Sequence, residues 1–177
     1  VSFTASVDID ALLADTDDEI AAIEAAARPA AQAGAQVLYD AVKANVRRLG
    51  KKTGNLEGAI QQAYATKEGR AGFARYDISW SHIKAPHGHL LEDGWIQRYA
   101  VYMGKNGKWY TLVRPEKRGT PKPKRSAPQS VKDAYYVLRP GGPVQHPAKA
   151  FVRSAAQYIP AAEDAMEKRF FEELDKR

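Results

Sequence analysis

Apolar positions recur every three or four residues through Ile20, Ile23, Ala27, Ala31, Gly34, Leu38, Ala41, Val42, Asn45, Val46 and Leu49, one stripe of a long amphipathic helix ending near Gly50. Thr16 with Glu19 has the capping-box spacing, so the helix is predicted to start there. Pro29 lacks an amide hydrogen and predicts a kink, or two abutting helices, around Arg28. The middle of the stripe is built from Ala and Gly, narrow enough for another helix to approach closely. Thr53-Gly54-Asn55 reads as a turn capping a shorter helix with Leu56, Ala59, Ile60 and Ala63. The pattern then switches to alternation over 73–81, which predicts a strand with Tyr76, Ile78 and Trp80 inward.

After Pro86 a short helix over 87–93 is predicted, closed by Gly94. Strands are expected at 99–103, 108–113 and 134–138 as one antiparallel group, with Asn106-Gly107 as the hairpin turn between the first two. Prolines and cations over 114–125 exclude regular structure and predict a long basic loop. Residues 140–147 read as a turn-rich link. A helical region over 148–177 follows, its last helix opened by Pro160 in the first turn. The fold class expected is α+β: long N-terminal and C-terminal helices packed on a small antiparallel sheet, with an inserted hairpin and basic loop.

Composition narrows the function classes. At 177 residues one domain is expected, with residues 1–15 as an arm, and the apolar 44% is rich in alanine, so the core is modest. No run suits a bilayer crossing or a secretory signal, and a soluble protein with no membrane partner is expected. The absence of cysteine excludes disulfides, a thiolate nucleophile and thiolate-held metals. The net charge of +6 is unevenly spread: residues 1–27 hold seven acids and no Lys or Arg, leaving 27 bases against 14 acids, a formal +13, over the other 150. Opposite charge at two places on one chain suits head-to-tail contacts between copies, although acids near a helix start also complement its dipole.

Candidate chemistry is confined to histidines. His82, His87 and His89 with Glu92 could hold zinc or iron for a metal-dependent hydrolase or nuclease if they converged. His87 and His89, two apart, fall on different sides of a helix, which opposes that reading. No phosphate loop, nucleophile elbow or paired-carboxylate pattern appears, so no catalytic residue and no cofactor are expected. Arg114, Lys117, Arg118, Lys122, Lys124 and Arg125 could neutralise phosphates without reading bases, as in a nonspecific DNA-binding accessory protein, or could meet a protein partner.

Three short motifs occur in order: Thr53-Gly54-Asn55-Leu56, then His89-Leu90-Leu91-Glu92-Asp93-Gly94, then Pro147-Ala148-Lys149-Ala150-Phe151-Val152-Arg153. Their order and spacing, over about residues 20–175, resemble the tail-component family of lambda-like long-tailed bacteriophages, whose members are head–tail joining, neck or tail-completion proteins. The resemblance implies a structural virion protein, assembled in the host cytoplasm into a ring, six-fold in the usual case, around the DNA passage. It implies head-closure and tail-terminator or tail-tube rings as partners. Thr53, Gly54, Leu56, His89, Leu90, Glu92, Gly94, Pro147, Phe151 and Arg153 would then be scaffold positions. Residues 96–145 depart from the family pattern as an insertion.

Overall fold

The computed structural model describes residues 9–50, 54–67 and 70–176, with side chains from Thr16 onward. The fold is α+β: a long N-terminal helix, a C-terminal helix and, among the described residues, three two-stranded antiparallel sheets. The chain divides into two compact units, one of Val1–Gly88 with Ala150–Arg177, the other His89–Lys149.

The first unit is organised by α1 (Ile9–Arg48). It is already helical at Ile9, so Thr16 and Glu19 lie inside it and do not cap its start. It also passes through Pro29 as a single element, which corrects the alternative of two abutting helices. An interior proline costs about 3 kcal/mol in an isolated helix. Here the flanking turns are held: Ala26 and Ala30 are buried, and the Arg28 guanidinium sits 4.5 Å over the Tyr64 ring. The stripe is buried from Gly34 onward through Ala35, Ala41, Val42, Asn45 and Val46. Ile20 and Ile23 are about half exposed.

α4 (Ile159–Leu174), with Pro160 in its first turn, packs on α1. Gly34 sets their separation. A Cβ there would lie 2.6 Å from Met166 Sδ and 2.9 Å from the Ala162 carbonyl, so the backbones approach as only glycine permits. A 3-10 turn over Arg153–Tyr158 leads into α4. Preceding it, Phe151 is fully buried, edge-on to Trp80 with ring centroids 5.5 Å apart. Asn45, itself buried in α1, donates to the Phe151 carbonyl and to Ser154 Oγ, both at 2.9 Å, and its Oδ1 accepts from Arg48. One amide thereby pins the chain that enters the C-terminal helices.

The second helix expected after Asn55 is instead a single 3-10 turn, Glu57–Ala59, running into β1 (Ile60–Tyr64). β1 pairs antiparallel with β2 (Tyr76–Trp80), Ile60 facing Trp80 and Tyr64 facing Tyr76. Helix and strand periods both fit so short a segment. The ladder to β2 decides it, satisfying a row of backbone groups that one helical turn would leave open.

In the second unit α2 (Gly88–Asp93) ends at Gly94, whose φ of 75° stops the helix as expected. β3 (Trp95–Gln97) follows at once and pairs with β6 (Val144–His146), so the link expected over 140–147 contains a strand. Ile96 and Gln145, the bounds of the expected insertion, face one another across this ladder. β4 (Val101–Met103) and β5 (Trp109–Thr111) form the hairpin, turning at Asn106-Gly107 with Gly107 at φ 71°. The Asn106 side chain accepts from the Lys108 amide and donates to the Tyr110 hydroxyl.

A strand over 134–138 and one continuous antiparallel group are not found. α3 (Gln129–Tyr135) begins after Pro128, and only Tyr136 and Leu138 make isolated bridges, to Val113 and Tyr99. Pro128 has φ preset for a helix start, and Asp133, accepting from Gln129 one turn earlier, reinforces the turn. The basic stretch is irregular apart from a 3-10 turn at Pro115–Lys117.

Candidate interaction surface

The three motifs fall at joints of the fold. Thr53 lies outside the described residues. Gly54, at φ 76°, turns the chain into the 3-10 segment, and Leu56 is buried at its head. In the second unit Gly94 and Pro147 meet: a Cβ on Gly94 would lie 2.7 Å from the His146 carbonyl oxygen and the Ala148 nitrogen, and 3.1 Å from the Pro147 carbonyl carbon. The Lys149 amide then donates to the Leu91 carbonyl at 2.7 Å, so the strand leaving β6 closes the end of α2. Leu90 is half-buried and Glu92 buried. Phe151 is the sealed aromatic described above, whereas Arg153 is exposed.

The histidines are dispersed. His82, His87 and His89 are exposed, and His82 lies against the Trp80 ring at 5.2 Å. His146 stacks on Trp95 at 4.0 Å and 10°, with Nε2 3.3 Å from Gln97 Oε1. Among the described residues no three His, Asp or Glu side chains gather as a metal site would require, so His82, His87, His89 and Glu92 are not brought together as ligands.

The basic segment separates into two kinds of residue. Arg114 Nε donates to the carbonyls of Asp133 and Tyr136, each at 3.3 Å, so this guanidinium is spent on fastening β5's exit to α3. Lys117, Arg118, Lys122, Lys124 and Arg125 have exposed side chains. The loop is held by its backbone: the Tyr135 hydroxyl donates to the Thr120 carbonyl at 2.9 Å, and Lys132 Nζ to the Arg125 carbonyl at 2.7 Å.

Beneath it a polar knot fixes α3. Arg98 grips Asp133 with two bonds, 2.9 and 2.6 Å, while Tyr99 and Gln129 each donate to Asp133 Oδ1 at 2.8 Å. Arg98 first, then Gln129 and Tyr99, hold the Asp133 carboxyl well below the usual carboxylate range. Burial, and then the bond to the Asp133 carboxylate, push the Tyr99 hydroxyl up.

Between loop, hairpin and α3 lies a cleft of about 680 Å³ lined by Tyr102, Leu112, Val113 and Tyr135, with Arg118 and Lys122 the charged residues in its wall. None of its described lining residues is acidic. The adjoining hairpin leaves Val101, Tyr102, Met103, Trp109 and Tyr110 exposed, Trp109 by 65%. Sequence reasoning found the cations and the hairpin separately. It missed the cleft because its lining is drawn from positions 102 to 135 with no shared period.

The arrangement combines apolar and aromatic lining with positive charge from Arg118 and Lys122. No helix of the described residues is long and apolar enough to cross a membrane. Comparison with family models, with curated proteins and with solved structures finds no match to this chain.

Proposed function

We propose that this protein is a non-catalytic structural component of the neck or tail of a long-tailed phage, completing the tail and joining it to the head as a ring around the DNA passage. The observation that carries this reading is the β4–β5 hairpin, whose five apolar or aromatic side chains at positions 101–103, 109 and 110 stand exposed on a three-residue ladder. A cluster of that kind marks an interaction surface. It supports a protein made to be covered by neighbours, and it falls in the segment 96–145 where the chain departs from the compact family pattern. The meeting of Gly94 with Pro147 supports the same reading, because it gives two pieces of the ordered motif a shared scaffolding role.

Particles assembled without this chain test the role. Heads and tails that accumulate unjoined, restored by supplying the protein, are the expected outcome. Normal tails attached to filled heads in its absence would overturn the proposal. Replacing Met103 and Trp109 together by Ser is expected to reproduce the unjoined phenotype while leaving the helical circular dichroism signal intact.

A further inference from the structure

The first 16 described side chains of α1 include a segment with little cover. Residues 16–21 and 23–25 are exposed, and only Ala22 is half-buried. α1 has 40 residues, about 60 Å of helix, whereas α4 has 16, about 24 Å. The partner helix therefore cannot cover its whole length. On this uncovered part Asp17, Ile20 and Glu24 follow one another at three- and four-residue spacing, with Ile23 beside them. The result is an acid–aliphatic–acid ridge, with Asp18 and Glu19 adding charge alongside.

The cleft of the second unit has the reciprocal character: aliphatic and aromatic lining, Arg118 and Lys122 in its wall, and no carboxylate among the lining residues. We propose that the cleft of one copy receives residues 17–24 of the α1 helix of a second copy, Ile20 and Ile23 entering the lining while Asp17 and Glu24 meet Arg118 and Lys122. This deepens the ring reading above and rests on it. The charge complementarity commits the occupant, since residues 1–27 are the longest stretch of this chain without Lys or Arg and hold seven acids, more than any other such stretch. The contact is heterologous, joining two different surfaces, so each copy has one ridge and one cleft to offer and association continues until a ring closes. A contact with charged edges is also weakened by salt.

Charge reversal with mixing tests the geometry by light scattering after size-exclusion chromatography. The wild-type chain is expected to form oligomers that dissociate as salt rises. Asp17→Lys with Glu24→Lys keeps the cleft and removes the ridge; Arg118→Glu with Lys122→Glu keeps the ridge and removes the cleft. Each double variant alone is expected to weaken association by at least about 10-fold. Mixed together they should associate again into oligomers in which the two variants alternate, because the native ridge of one meets the native cleft of the other and the two reversed surfaces complement each other in turn. Ile20→Ala with Ile23→Ala, which keeps charge and helix propensity, should weaken association without changing its salt slope.

A wild-type chain that stays monomeric at about millimolar concentration overturns the inference, as do oligomers that persist in both charge-reversed variants. In the latter case the ring reading survives with its interface elsewhere, and the particle-assembly experiment decides that separately. Binding of a duplex oligonucleotide that is lost in the Arg118→Glu, Lys122→Glu variant, with no self-association of the wild type, would assign the cleft to nucleic acid instead.

Discussion

The two units bury their cores by different means. Among the described residues, all the buried apolar side chains but Tyr135 belong to the first unit, and there they are chiefly alanines, among them Ala26, Ala30, Ala35, Ala41, Ala155 and Ala162, with Phe151, Leu56, Ile60, Val42 and Val46 the larger ones. The second unit has strands of three residues and is fastened by hydrogen bonds to Asp133, by Arg114 on two carbonyls and by the Trp95–His146 stack. Small residues bury little area each, so the first unit gains its stability from backbone proximity and from a few indispensable large groups. The second depends on a charge-assisted network and on surfaces still exposed to water.

The sharpest blow to that contrast is Phe151→Ala. Phe151 has no exposure and touches Trp80, so removing the ring should cost about 3–5 kcal/mol in urea unfolding followed by circular dichroism. Hydrogen exchange then sharpens the comparison: faster exchange confined to amides of the first unit means the two units open separately, and faster exchange everywhere means they open as one. Gly34→Val comes next. Part of its cost falls on flexible Met166, but the Ala162 carbonyl is backbone, so α4 must shift, and a loss of about 1–3 kcal/mol is expected. An unchanged unfolding midpoint would show that the helices are not in the close contact described.

Acid should act on the second unit first. The Asp133 carboxylate has a folded pKa below its unfolded value near about 3.9. Its contribution is therefore complete above that value and is lost as pH falls through the folded pKa. Exchange protection of the α3 amides is expected to fall on acidification below about pH 4, ahead of that of α1, and Asp133→Asn should flatten this dependence. Equal acid sensitivity in α1 would remove the distinction.

The smallest effect is expected at Ala150, which has φ of 45° without being glycine. An L-residue in the left-handed region pays about 1–2 kcal/mol, while glycine carries an entropic cost of its own, so Ala150→Gly should raise stability by less than about 1 kcal/mol. A loss of stability would mean that the Ala150 methyl makes contacts worth more than its strain.

What the sequence made legible follows the reach of each signal. The stop at Gly94, the Asn106-Gly107 hairpin and Pro160 in the first turn of α4 are decided within four residues, and all three stand. The start of α1 was misread because Thr16 and Glu19 mimic a cap inside a longer helix. β1 was misread as helix because its partner β2 begins twelve residues beyond its end. β3 and β6 escaped notice because three residues carry no period, and their pairing spans the whole segment between them. The turns at Gly54 and Gly94 were legible. The cleft was not, being assembled only when Tyr135 comes to lie near Tyr102 and Thr120.

The pairing of Ile96 with Gln145 has one more consequence. Residues opposed across an antiparallel ladder lie about 5 Å apart, so the stretch between them leaves and re-enters the chain at nearly one point. A segment attached in that way can be shortened to a tight turn, exchanged for another, or enlarged without rerouting what precedes or follows it. A chain trimmed from Arg98 to Pro143 and rejoined by Asn-Gly would still have its two ends correctly placed. Variation in what the protein grips could then accumulate in this loop while the alanine-lined helices stay fixed.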